Sequence, residues 1–296
     1  MKTKKLALAG FLLLAFFLTK AQDEIAFKVL VNKGKTEVKA GSSWQAIKVG
    51  SSLKSTDEIN VHENSYVGLV HINGKPIELK KPGKYSVAKL SSQVGPGTSV
   101  LNKYTDFILS SNTTKKNSLT ATGAVHRGDE LTVLLPVNEK NPIIFGNEIT
   151  VTWEKGKSDG PYEVLLFTMF GDELYKTKTS DTKININLAD KALANEDNIL
   201  IKVTPMKGSP SATFTLKKLS VADKERIKTE FTQISGEVKD STAFGKYIEA
   251  GFFEKNGLLI DATTAFLQAV ELEPALREDY NAYLLRTGLK QPPPEK

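Results

Sequence analysis

FTLKKLSVADKERIKTEFTQI, residues 214–234, carries two periodicities end to end. Phe214 and Leu216 alternate with polar neighbours as in a half-buried strand, whereas Ile227, Phe231 and Ile234 recur at the spacing of one helical face. Near residue 221 the pattern passes from period two to period 3.6, so the chain reads as multidomain, β first and then α. With 296 residues, 40% of them hydrophobic, it holds apolar material for more than one core.

Beyond that first helix, Ser241 or Thr242 can cap a second one containing Phe244, Tyr247, Ile248, Gly251 and Phe252, which Asn256-Gly257 ends. A third runs from Leu258 through Ala262, Ala265, Phe266, Ala269, Val270 and Leu272 to Glu273-Pro274, and a fourth from Ala275 through Tyr280, Tyr283 and Leu284 to Gly288. The stretch from Ala250 to Pro274, with Gly251, Ala262, Phe266 and Ala269, resembles a tetratricopeptide repeat. That resemblance implies two helices in close approach at the small residues, an aromatic in the adjacent gap and Pro ending the pair. About three repeats make a free-standing groove, and one is visible here. The unit 221–291 is therefore expected either to pack on its neighbours or to offer a protein-contact surface, with Tyr247, Phe253, Phe266 and Tyr280 as its candidate residues.

Working back from residue 221, Ile149, Val151 and Trp153 alternate with Thr150, Thr152 and Glu154. Tyr162, Val164 and Leu166, then Leu174, then Ile184-Ile186-Leu188, Ile199-Ile201-Val203 and Phe214-Leu216 continue as short strands. This pattern predicts a β-sandwich over 143–220. Trp153 closing one strand and Tyr162-Glu163-Val164 opening the next resemble a fibronectin type III or immunoglobulin-like module, which implies an adhesive or spacing role with the Trp and Tyr in the core.

Residues 22–90 alternate short apolar runs with turns: Phe27, Val29 and Val31 before Asn32-Lys33-Gly34, and Tyr66 to Ile72 before Asn73-Gly74. Ile77 and Leu79, then Pro82-Gly83 and Tyr85-Val87, complete an all-β pattern in which Asn73-Gly74 is the strongest hairpin signal. Lys33-Gly34, Trp44, Lys48-Val49-Gly50 with Leu53, Asp57-Glu58-Ile59, Ser65, Leu69, Gly74 and Ile77-Glu78-Leu79 resemble the FecR-type periplasmic β domain. The resemblance implies a small β fold in an envelope setting. The anti-sigma segment and membrane helix of the namesake regulators have no counterpart in the sequence, so their signalling role does not carry over. Between the β units, 91–142 reads as a helical spacer and linker: a loop from Ser91 to Gly97, a helix with Val100, Leu101, Tyr104, Phe107, Ile108 and Leu109 on one stripe, and a short strand at Val133-Leu134-Leu135. Arg127-Gly128-Asp129 reads as a turn.

Residues 1–21 have a basic start, an apolar run from Leu6 to Leu18 and a small exit residue, the form of a signal peptide cleaved after Ala21. The run is short for a bilayer span, and the chain has no Cys to carry a lipid anchor, so a secreted or periplasmic protein with no transmembrane segment after cleavage is expected. Lys2, Lys4, Lys5 and Lys20 leave with the peptide, and 36 of the 40 basic residues then face 34 acidic ones. A balance that even, with no basic cluster, excludes nucleic acid as the expected partner. The tail 292–296 is short and extended.

Zero Cys and 3 His leave little for thiolate or imidazole chemistry. No nucleophile elbow, zincin helix, phosphate loop or dinucleotide fingerprint is present, and no catalytic, cofactor-binding or metal-binding residue is assigned. The sequence thus points to a non-catalytic scaffold or adaptor that contacts envelope proteins. Its alternative is a glycan or peptidoglycan binder using Trp44, Tyr66 or Tyr85 as an aromatic platform. An enzyme is the third reading.

Overall fold

A computed structural model describes residues 24–113, 130–136, 143–238 and 241–292. The expected signal peptide 1–21, the expected turn at Arg127-Gly128-Asp129 and most of the tail lie outside the described residues. The N-terminal unit has strands β1 (Ile25–Lys33), β2 (Thr36–Ala40), β3 (Ser43–Ala46), β4 (Ser52–Lys54), β5 (Glu58–Val61), β6 (Tyr66–His71), β7 (Pro76–Leu79) and β8 (Gly83–Ser86). They form two four-stranded antiparallel sheets, β4-β1-β6-β7 and β3-β2-β5-β8. Asn73-Gly74 makes the β6–β7 hairpin, with Gly74 at φ 94°, a conformation that a side chain would strain.

Val87 does not extend the last strand of this unit. It opens helix α1 (Val87–Gln93), whose first turn is capped by the Ser86 hydroxyl accepting from Lys89 N–H, so the expected loop begins only after Gln93. Helix α2 (Val100–Thr113) follows, and Leu101, Tyr104 and Ile108 are its buried stripe.

The sandwich comprises β9 (Thr132–Val133), β10 (Ile143–Ile144), β11 (Glu148–Glu154), β12 (Asp159–Phe167), β13 (Glu173–Thr179), β14 (Lys183–Asn187), β15 (Asn198–Lys207) and β16 (Phe214–Lys218). Its sheets have orders β10-β16-β15-β12-β13 and β14-β11-β9. Alternation places Ile199, Ile201 and Val203 inside, where the Trp153 and Tyr162 rings meet edge to face at 5.3 Å.

The C-terminal layer has α3 (Val221–Ser235), α4 (Ala243–Lys255), α5 (Leu259–Leu272), a 3-10 turn at Pro274–Leu276, and α6 (Arg277–Arg286). Of the two candidate caps for α4, Thr242 is the one used, accepting from Gly245 N–H. Gly257, at φ 73°, closes the α4–α5 turn.

The first unit, α2 and the helical layer share a core, while the sandwich keeps its own, which Ile260 of α5 enters. One apolar cluster joins Leu30, Tyr66 and Val70 of the first unit, Leu101, Tyr104 and Ile108 of α2, and the inner faces of α3 to α6. A bulge between Val29 and Val31 in β1 lets that strand serve two cores, with Phe27 and Val29 facing its own sheets and Leu30 and Val31 facing the helices. Strand β6 is buried through Val70 for the same reason, with apolar cover on both faces. Gly68 lies against the Phe244 ring, and a Cβ there would overlap it. Gly251, the close-approach position of the repeat-like stretch, packs instead on Ile108 of α2.

The second seam, between helices and sandwich, combines apolar contact, with Ile260 in the sandwich core and Phe145 against Phe231 and Phe253, with buried hydrogen bonds. Asp261, buried in the first turn of α5, accepts from Phe145 N–H at 3.0 Å and Gly146 N–H at 2.7 Å. Thr264 Oγ1 accepts from Thr150 N–H at 2.8 Å. Burial pushes the Asp261 carboxyl up to about 6, with the two backbone donors pulling the other way.

Three outcomes test this arrangement. Gly68→Ala, which drives a methyl into Phe244, is expected to cost about 1–3 kcal/mol in urea denaturation, whereas Gly95→Ala, with open space around its Cα, changes stability by less than about 0.5 kcal/mol. The buried seam between helices and sandwich also predicts one transition. In the Trp44→Phe variant, fluorescence from the sandwich Trp153 and helical circular dichroism should lose their native signals at the same urea concentration. Because the folded pKa of Asp261 is raised, its stabilising effect is greatest below the ordinary carboxylate value and is lost as pH rises through about 6. The stability of the native protein relative to Asp261→Asn should therefore fall by roughly 2 kcal/mol between about pH 4 and pH 7.

Candidate protein-contact surface

The residues expected to form a contact face on the helical unit do not form one. Tyr247, Phe253, Phe266 and Tyr280 are buried, none more than 7% exposed. Phe266 lies between Tyr247, at 5.7 Å, and Tyr283, at 4.8 Å, while Phe253 stacks on Phe231 at 5.2 Å. Burial raises the pKa of Tyr247, whose hydroxyl accepts from Asn112 Nδ2, and that of Tyr280, whose hydroxyl meets Thr152 Oγ1. The physical reason is occupancy: the apolar faces of α4 and α5 that would line a repeat groove are covered by β6 and β11.

The aromatic platform is not assembled either. Tyr66 is buried and donates its hydroxyl to Glu78 Oε2 at 2.7 Å, in the sheet that faces the helices. Trp44 and Tyr85 lie on β3 and β8, opposite edges of the other sheet, which places them about 14 Å apart at ordinary strand spacing. Tyr85 leans on the N-terminal core and donates to the Lys81 carbonyl, and Trp44 is covered by the Lys84 ammonium at 5.5 Å.

Polar groups that suggest chemistry are occupied structurally. His71 Nδ1 accepts from Asn73 N–H, so the ring proton sits on Nε2 and is donated to Ser91 Oγ at 2.8 Å. A histidine held in that tautomer does not take the proton of Ser91. His62 pairs with Glu37 at 2.8 Å, and its hydrogen bond is the chief cause that lowers the Glu37 pKa. Arg286 grips Glu254 through Nε and Nη2 at 2.7 and 2.6 Å, tying α6 to α4. Among the described residues no cluster of three His, Asp or Glu is placed to hold a metal ion.

Two surface features remain. The first is the β12–β13 loop, Thr168-Met169-Phe170-Gly171-Asp172, where Phe170 is 95% and Met169 60% exposed. The loop is tied to itself. Thr168 N–H donates to the Asp172 carbonyl, Gly171 N–H donates to the Thr168 carbonyl, and Thr168 Oγ1 accepts from the N–H groups of Phe170 and Asp172. Gly171 takes φ 96° to close the turn. A large ring is thus held out in solvent on an ordered support, and Asp172 and Glu173 flank it.

The second is a cleft of about 600 Å³ between the β14-β11-β9 sheet and α5–α6, on the far end of β13 from the loop. Leu134, Leu267, Tyr280 and Leu284 give it apolar lining. Lys183 bonds Glu271 across one end at 2.6 Å and Lys290 bonds Glu154 at 2.7 Å. Among the described residues, Arg277 on the helical wall has no carboxylate partner and lies 5.8 Å from the Tyr280 ring, and Asp181 on the sheet wall has no cationic one.

Comparison with protein-family models and with curated proteins finds no match to this chain. Among the described residues no helix is long and apolar enough to cross a membrane.

The loop had a signal in the sequence. Met169-Phe170 are two consecutive large apolar residues followed by Gly-Asp, so they fall in a turn and not on either strand. Phe170→Ser should leave the thermal midpoint within about 2 °C of the native value, because the ring buries nothing in the fold. Thr168→Val, which removes the hydroxyl acceptor, should lower stability by about 1 kcal/mol.

Proposed function

We propose that the protein is a secreted or periplasmic, non-catalytic scaffold that binds other proteins at the cell envelope, and that it does so through the β12–β13 loop of its sandwich. The observation that carries this reading is the 95% exposure of Phe170 on a loop closed by its own hydrogen bonds. Displaying a large ring to water costs solvation and adds nothing to the fold, whereas a buried aromatic anchor is the usual centre of a protein interface. A support that is already ordered loses little entropy on docking. The tight pairing of the half-buried charged groups, Arg286 with Glu254 and Lys33 with Asp279, fits a framework role for those residues. The glycan alternative loses its platform, since Trp44, Tyr66 and Tyr85 do not meet.

A photo-crosslinking residue placed at position 170 in cells making the protein tests the proposal. Discrete protein adducts are expected from position 170, with few or none from position 48, an exposed site on the N-terminal unit. Equal, diffuse labelling from both positions would remove the basis of the reading.

A further inference from the structure

The loop and the cleft are complementary in chemistry and lie at opposite ends of one strand. β13 leaves the Met169–Phe170 loop at Glu173 and ends at Thr179, so its seven residues span about 20 Å before Asp181 to Lys183 enter the cleft wall. The loop offers two apolar side chains and two carboxylates, those of Asp172 and Glu173, with no cation between Phe167 and Tyr175. The cleft is a largely polar groove that shows only the edges of Leu267, Tyr280 and Leu284, none more than 6% exposed, beside a guanidinium, Arg277, that no carboxylate of the described residues neutralises. Its volume of about 600 Å³ lies within the ~300–1,000 Å³ range of sites that enclose a small ligand, ample for a phenyl ring and a thioether chain.

We infer that the cleft receives the Met169–Phe170 loop of a second copy of this chain. The inference rests on the proposed role of the loop as a contact element and names its partner. In the docked state Phe170 enters against Leu267 and Leu284, and Asp172 or Glu173 reaches Arg277. The free acid Asp181 on the sheet wall orients the loop, since it repels the two carboxylates toward the helical wall. Donor and acceptor surfaces are different patches on the same molecule, so the contact is head to tail. With the patches at opposite ends of the sandwich, each added copy presents a fresh loop, and the assembly grows as an open chain. A single loop in one cleft is a small interface, which places the association in the weak, concentration-dependent range.

Sedimentation velocity of the purified protein from micromolar to near-millimolar concentration is the test. The weight-average sedimentation coefficient should rise continuously with no plateau at the dimer. Phe170→Ser, which keeps its cleft, and the double variant Arg277→Glu/Asn281→Trp, which keeps its loop but closes its cleft, should each associate at least tenfold more weakly. Mixed one to one, the two variants have one competent loop and one competent cleft between them, so they should form a heterodimer that stops there. Circular dichroism of each variant establishes that it is folded. A native protein that stays monomeric throughout, assembly that survives Phe170→Ser unchanged, or a mixture that does not associate each overturns the inference. A monomer that binds anionic lipid vesicles through Phe170 likewise overturns it, in favour of a membrane contact. If position 170 crosslinks to a different protein while the purified chain stays monomeric, self-docking fails and the scaffold reading stands. If position 170 labels no protein and the chain does not associate, both fail.

Discussion

The constraint on which the molecule depends is that the α4–α5 hairpin must be covered on both sides. Ala243, Ala250, Ala262 and Ala269 are fully buried, and the aromatic residues between them leave no polar face of ordinary width on either helix. A two-helix unit of that composition has no stable existence in water by itself. Its cover comes from β6 on one side, where Gly68 admits the Phe244 ring, and from β11 on the other, where Thr150 N–H donates to Thr264. The two β units are therefore held by the same pair of helices, and the changes of pattern near residues 91, 143 and 221 mark changes of element type among cores that those helices connect.

The two seams differ in kind. The first is apolar and depends on fit, with glycine at 68 and 251 setting how closely backbone and ring approach. The second adds directed hydrogen bonds to its apolar contacts, because the β10–β11 turn and β11 present backbone donors there that must be satisfied once water is excluded. Asp261 satisfies two of them with one carboxylate. Charged contacts at the rim follow the same economy. Glu237 accepts from Thr98 N–H at 3.1 Å and pairs with Lys75 at 2.6 Å, fastening the β6–β7 turn region to the end of α3.

Local pattern made much of this legible. The Asn73-Gly74 hairpin, the alternation of β15 and the helical stripe of α3 are written in residues that are neighbours along the chain. What the pattern could not convey is what covers a stripe. Tyr247, Phe266 and Tyr280 look the same in sequence whether their face meets solvent, a partner or the chain's own sheet, and here it meets the chain. The short helix α1 was hidden because Tyr85, Ser86 and Val87 continue a strand pattern, and only the Ser86 cap, a matter of backbone geometry, turns it. The cleft draws on β11, the β13–β14 turn, α5 and α6, with lining residues spread from Leu134 to Lys290, so no spacing along the chain announces it.

Helix α2 sits between two β units in sequence but finds its place against α4, about 140 residues later, with Ile108 against Gly251. Synthesis delivers the amino-terminal end first. The first β unit consequently emerges with Leu30, Tyr66 and Val70 uncovered, and α2 emerges with no surface to lie on. Both must wait until the last helices arrive, because contacts of such sequence separation close late. During that interval the apolar residues that the last helices later cover stay open to water and to other chains.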